Sequence, residues 1–95
     1  MLHIEERHLA IIQSILAPYK EYDFYIFGSR ARGTQKKFSD LDICFLKPFP
    51  RGLRSELEEQ FENSNLPYKV DLVDWNRCSD EFKGLIKNDL VKLEL

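Results

Sequence analysis

Two apolar runs, DFYIF (Asp23 to Phe27) and LDICFL (Leu41 to Leu46), stand thirteen residues apart with a polar segment between them. Both are rich in aromatic and β-branched residues, the composition of short buried strands. The joining segment, GSRARGTQKKFSD, opens on a Gly-Ser turn and closes on Asp40, with Asp42 two residues further on. Strand side chains alternate faces, so Asp40 and Asp42 point the same way at the entrance of the second strand. For the turn and the aspartates to share a site, the end of the first strand must lie beside the start of the second. The simplest arrangement makes the two strands antiparallel.

The remaining segments supply the cover for such a sheet. A first helix is expected over about residues 4 to 17, with Leu9, Ile12 and Leu16 at helical spacing beside Ile4, Ile11 and Ile15, and Pro18 stopping it. A turn or short helix follows Gly28 through Ala31, and Pro48 and Pro50 break the second strand. From Arg51 to Asn63, Leu53, Leu57 and Phe61 stand four apart on one face of a charged helix. YKVDLVDW (Tyr68 to Trp75) alternates and reads as a third strand. Ser79 is a good N-cap for a last helix with Phe82, Ile86, Leu90 and Leu93 as its apolar stripe. The link from the second strand through the Leu53–Phe61 helix is long enough for a crossover, so the third strand is expected parallel to the second. Asp71 then comes level with Asp40 and Asp42. The fold class that results is mixed α/β (α+β), a small mixed sheet of three to four strands flanked by helices.

Ninety-five residues, beginning with Met, read as one whole domain, residues 1–95. With 43% hydrophobic and 32% charged residues, the composition is that of a soluble globular chain. A net charge of −2 argues against broad nucleic-acid binding, so no direct nucleic-acid contact is expected. Cys44 and Cys78 have no zinc-like or redox spacing, and Cys44 reads as a buried thiol. With no leader and no long apolar span, a cytoplasmic protein free of the membrane is expected.

The chemistry follows from the residue types. Magnesium takes hard oxygen ligands, usually one or two carboxylates with substrate phosphates and water. Three carboxylates, Asp40, Asp42 and Asp71, beside a phosphate-sized turn read as a Mg²⁺ site, and two ions can clamp the attacking and leaving oxygens of an in-line displacement. Gly28 lets a triphosphate approach the backbone, and the Ser29 hydroxyl stands beside it. Either Arg30 or Arg32 can neutralise phosphate charge, or each can simply be solvated or paired with an acid. At average composition, Gly-Ser-x10-Asp-x-Asp arises by chance in roughly one such chain per thousand, so an ordinary turn ahead of a polar strand entrance is the weaker reading.

On Gly28, Ser29, Asp40 and Asp42 the chain resembles the DNA polymerase β-type nucleotidyltransferase superfamily, with Asp71 in VDLVD matching its third carboxylate. Within it the chain is most similar to the minimal nucleotidyltransferases, the antitoxin partners of HEPN toxins. The resemblance covers nearly the whole chain. It implies ATP as donor, Mg²⁺ as cofactor and transfer of AMP to a hydroxyl. In the family that hydroxyl can be a tyrosine of the HEPN toxin, whose modification silences its RNase activity, within a hetero-oligomer. Larger relatives carry further domains for the acceptor. After the third strand about twenty residues follow here, so the acceptor site is expected to be completed by another polypeptide.

Other residues take plainer readings. Asp74 rivals Asp71 but faces the other side of the strand. Lys36 and Lys37 read as an exposed loop, Ser39 as a turn cap or a group orienting the aspartates, and Trp75 as core cover. His3 and His8, five apart on the first helix, lack a ligand partner. The apolar end of the last helix, LVKLEL, is a candidate protein interface. Beside nucleotidyl transfer to a partner protein stand a masking module without catalysis and transfer to a small molecule or RNA.

Overall fold

The computed structural model describes residues 2–95. Helix α1 (Glu6–Leu16) buries His8, Ile12 and Leu16, and a 3-10 segment (Ala17–Tyr22) continues it. Pro18 therefore does not end the helical path, as the sequence suggests. It sits at the start of the tighter turn, where a missing N–H costs nothing, and the chain leaves at Asp23, whose φ is 57°. Strand β1 (Phe24–Phe27) leads into the short helix α2 (Ser29–Arg32), and β2 (Leu41–Phe45) follows. Helix α3 (Leu53–Glu62) connects β2 to β3 (Val70–Asp74). A 3-10 turn (Trp75–Arg77), helix α4 (Asp80–Ile86), a second 3-10 turn (Lys87–Asp89) and strand β4 (Val91–Lys92) complete the chain.

The sheet order is β3-β2-β1-β4, with β1 antiparallel to both β2 and β4 and β2 parallel to β3. The mixed sheet and its pairing directions agree with the sequence argument. Residues of one parity (Phe24, Ile26, Leu41, Ile43, Phe45, Leu72) form the main core with Ile12 and Leu16 of α1 and Leu53, Leu57 and Phe61 of α3. Residues of the other parity, Phe27 and Cys44, pack with Ile86, Phe82, Leu90 and Trp75 around α4.

The last helix is shorter than its apolar stripe suggests. The expected run from Phe82 to Leu93 splits at Ile86, and Val91–Lys92 becomes an edge strand opposite Tyr25 and Ile26. Two forces decide this. The outer edge of β1 would otherwise leave backbone groups without partners. In addition, Leu93 enters the main core while Phe82, Ile86 and Leu90 cover the opposite face of the sheet, which one helical stripe cannot do. The capping of α4 by Ser79 is as expected, its hydroxyl accepting from the Phe82 N–H at 3.1 Å. Among the described residues no helix is long and apolar enough to cross a membrane.

Candidate active site

The strand pairing lays Phe27, Asp42 and Asp71 in one row across β1, β2 and β3. These three share the parity of the face that α4 covers, and α4 covers Phe27 of this row together with Cys44 in the next row of that face, while the row runs on to Asp42 and Asp71. Asp42 is half-buried, whereas Asp71 and Asp40, one residue before β2, are exposed. Gly28 closes β1 with φ 78°, and a Cβ there would overlap the Asp42 carboxylate. Only glycine fits both the backbone and the space. The turn and Asp42 are therefore in direct apposition.

The electrostatics of the row follow from that packing. The Asp42 carboxyl is pushed above the ordinary carboxylate range, first by burial, then by the like charges of Asp71 and Asp40, with Arg32 partly offsetting them. All three carboxylates and Arg32 thus act on one locus. Asp74 does not: it lies opposite Phe45 at the other end of β3, accepts from the Asn76 N–H and pairs with Arg77 at 3.8 Å. Asp71, not Asp74, shares the row with Asp42.

The two arginines part company. Arg32 is half-exposed and its Nη1 lies 3.3 Å from Asp89 Oδ2, just ahead of β4. Arg30 is buried, its guanidinium turned toward backbone carbonyls of the loop before Asp40 and stacked over the Tyr68 ring at 3.8 Å. Nothing local in the sequence signals either partner, because Asp89 and Tyr68 lie far along the chain and reach α2 only through the tertiary fold.

Other expectations resolve simply. The Ser39 hydroxyl accepts from the Lys36 N–H at 2.8 Å, so it closes its own turn and does not orient the aspartates. Lys36 and Lys37 are exposed, with the Lys37 ammonium over the exposed Phe38 ring. His8 is buried edge-on against Tyr68, and His3 precedes α1 with its ring against Gly33. Trp75 is partly buried in the α4 cluster. Cys44 is buried, and desolvation pushes its thiol up to about 11.

The donor chemistry suits magnesium. Asp40, Asp42 and Asp71 offer only hard oxygens, and their mutual repulsion at Asp42 is what a divalent cation relieves. Among the described residues no three His, Cys, Asp or Glu side chains close into a metal-binding cluster.

The chain is similar to known proteins. A family model described as a nucleotidyltransferase domain matches residues 7–94. The chain is 38% identical over 96 aligned positions to the probable protein adenylyltransferase MntA of Haemophilus influenzae, covering 98% of this chain and 84% of that protein. A crystal structure of a toxin-antitoxin with AMP-PNP superposes with TM-score 0.70 at 29% identity, over 90% of this chain and 72% of that one. A tyrosine-to-alanine mutant of the toxin-antitoxin MntA-HpeT gives TM-score 0.69 at 28% identity, over 96% and 72%.

Proposed function

Because the chain belongs to the nucleotidyltransferase domain family, we propose that its residues 1–95 act as one adenylyltransferase domain that moves AMP from ATP onto a hydroxyl of a toxin partner. The single observation that carries this reading is the row of Asp42 and Asp71 with Gly28 pressed against Asp42.

In this reading the residues divide the work. Gly28 leaves space for the triphosphate, and the first amides of α2 at Ser29 and Arg30, which have no acceptors inside the helix, donate to its oxygens. The Ser29 hydroxyl stands at the same place. Arg32, already near Asp42, balances the charge of the departing pyrophosphate. Asp71 accepts the proton of the attacking hydroxyl. The new bond joins that oxygen to the α-phosphorus, and the bond from the α-phosphorus to the bridging oxygen breaks. Asp40, Asp42 and Asp71 would hold Mg²⁺, up to two ions, which would supply charge neutralisation for the in-line displacement.

The donor is ATP, by analogy with the AMP-PNP bound in the related toxin-antitoxin structure. The acceptor is a tyrosine of a HEPN-type toxin, a reading supported by the family resemblance and by the tyrosine mutant made in the related complex. Transfer would silence that toxin's RNase, in a cytoplasmic hetero-oligomer. A masking module without catalysis is the second reading, favoured by Phe38 and Leu85, which are 63% and 72% exposed.

The test is label transfer. The tagged protein is recovered from its native lysate with its bound partner and given Mg²⁺ and ATP labelled at the α-phosphate. Label on a tyrosine of the partner, absent with Asp40→Asn, supports the proposal. A bound partner left unlabelled by the wild-type protein favours masking, and label on a free small molecule or RNA would refute the assigned acceptor.

A further inference from the structure

Arg30 is one of two polar or charged residues in the buried set, at 5% exposure, yet it faces no acidic partner among the described residues. Its guanidinium is engaged by main-chain oxygens instead. Nε and Nη2 reach the Ser39 carbonyl at 3.2 and 3.0 Å, Nη2 also reaches the Lys37 and Lys36 carbonyls at 3.3 and 3.5 Å, and Nη1 reaches the His3 carbonyl at 3.4 Å. The flat face rests on the Tyr68 ring at 3.8 Å. A planar fork with five donors suits this arrangement, and a lysine ammonium cannot reproduce it.

The Nε and Nη2 bonds to the Ser39 carbonyl hold the peptide directly before Asp40. On its other side, the Leu41 N–H donates to the Lys69 carbonyl of the chain entering β3 at 2.8 Å. Asp40 is exposed and outside the strand, so its own side chain does little to fix its place. It hangs between two anchors, Ser39 held by Arg30 and Leu41 held by β3. Arg30 also belongs to α2, the helix that begins at the Gly28–Ser29 turn. One side chain therefore ties the turn to the carboxylate opposite it.

We infer that Arg30 is a positioning residue: its buried guanidinium clamps the Lys36–Ser39 loop and so sets Asp40 relative to Asp42 and the Gly28–Ser29 turn. The inference rests on the proposed transfer chemistry only for its effect on rate. The clamp itself is a property of the chain alone. It also assigns different roles to two arginines two residues apart, Arg30 acting through Asp40 and Arg32 facing the site.

The test uses Arg30→Lys, which keeps the charge and loses the fork. Hydrogen exchange on the metal-free protein reads the clamp directly, through the Ser39 N–H that donates to the Lys36 carbonyl at 3.1 Å. That amide is expected to exchange about 10-fold faster or more in the variant, while the β2 amides keep their protection. Calorimetric titration with Mg²⁺ alone should show affinity reduced about 10- to 100-fold, as when a group orienting a metal ligand is lost. In transfer assays kcat should fall with KM for ATP unchanged. Wild-type exchange at Ser39 with wild-type Mg²⁺ affinity would overturn the inference. So would a raised KM for ATP at unchanged kcat, which is the signature of a phosphate contact. Tyr68→Leu removes the stacking face without touching a donor and should give the same changes in smaller degree. Should Arg30→Lys fail to fold, wild-type exchange at Ser39 in Tyr68→Leu would overturn the clamp. Full transfer by Asp40→Asn would instead defeat the proposed function, leaving the exchange result to judge the clamp separately.

Discussion

The two faces of the sheet are built from alternate residues of the same strands, and they differ sharply. Toward α1 and α3, Phe24, Ile26, Leu41, Ile43, Phe45 and Leu72 are all at most 2% exposed. Toward α4, the same strands contribute Phe27 and Cys44, which are buried, but also Asp42, half-buried, and Asp71, exposed. The first face is apolar apart from Asp74 at the end of β3 and supplies cohesion. The second is divided: Phe27, Cys44 and their neighbours pack under α4, while Asp42 and Asp71, in the same row as Phe27, carry carboxylates. Burial first, and the neighbouring charges of Asp71 and Asp40 second, push the Asp42 carboxyl up, so its charged form is unfavourable for the isolated fold. Stability is concentrated on one face so that the other can hold like charges together.

That contrast can be broken at several points. The largest effect is expected at Asp42→Asn, with transfer reduced at least about 100-fold and urea stability in EDTA at neutral pH unchanged or higher. The sign follows from the shift: a carboxyl raised in the fold disfavours folding when charged, so the variant's advantage shrinks as pH falls and Asp42 takes up its own proton. Loss of stability in Asp42→Asn would mean that the carboxylate supports the fold. On the cohesive face, Ile43→Ala, at a wholly buried position, should cost about 2–5 kcal/mol in urea unfolding. Phe82→Ala, under the divided face and only partly buried, should cost less, about 1–2 kcal/mol by the same measurement. Equal losses would erase the asymmetry. The smallest effect is a thiol count at pH 8. Cys44, buried and pushed up to about 11, should stay unreactive in the native protein while Cys78 reacts, and both should react after unfolding.

The divided face is largely legible in the sequence because its determinants are local or topological. Strand parity puts Asp42 on the face it shares with Cys44, with Asp40, expected beside it by alternation, one residue before β2, and a crossover of the length between Phe45 and Val70 makes β3 parallel, which puts Asp71 level with Asp42. β4 is not legible, since LVKLEL satisfies a helical stripe and a strand alternation alike, and only the open edge of β1 decides between them. The fates of the arginines are equally hidden. Arg30 and Arg32 are the same residue two positions apart, and what separates them is Tyr68 beneath one and Asp89 beside the other. Contacts across such separations follow from the completed packing, not from any pattern near α2.

The central claim is that the acidic end of the divided face is the transfer centre. Asp71 tests it most directly, because it is exposed and joins the site only through the register of β3 with β2. We would measure single-turnover AMP transfer to the bound partner against Mg²⁺ concentration, for the wild-type protein and Asp71→Asn. The account predicts a rate at least about 100-fold lower in the variant at saturating Mg²⁺, with the native urea midpoint kept. Transfer at the wild-type rate with the wild-type Mg²⁺ dependence would contradict it.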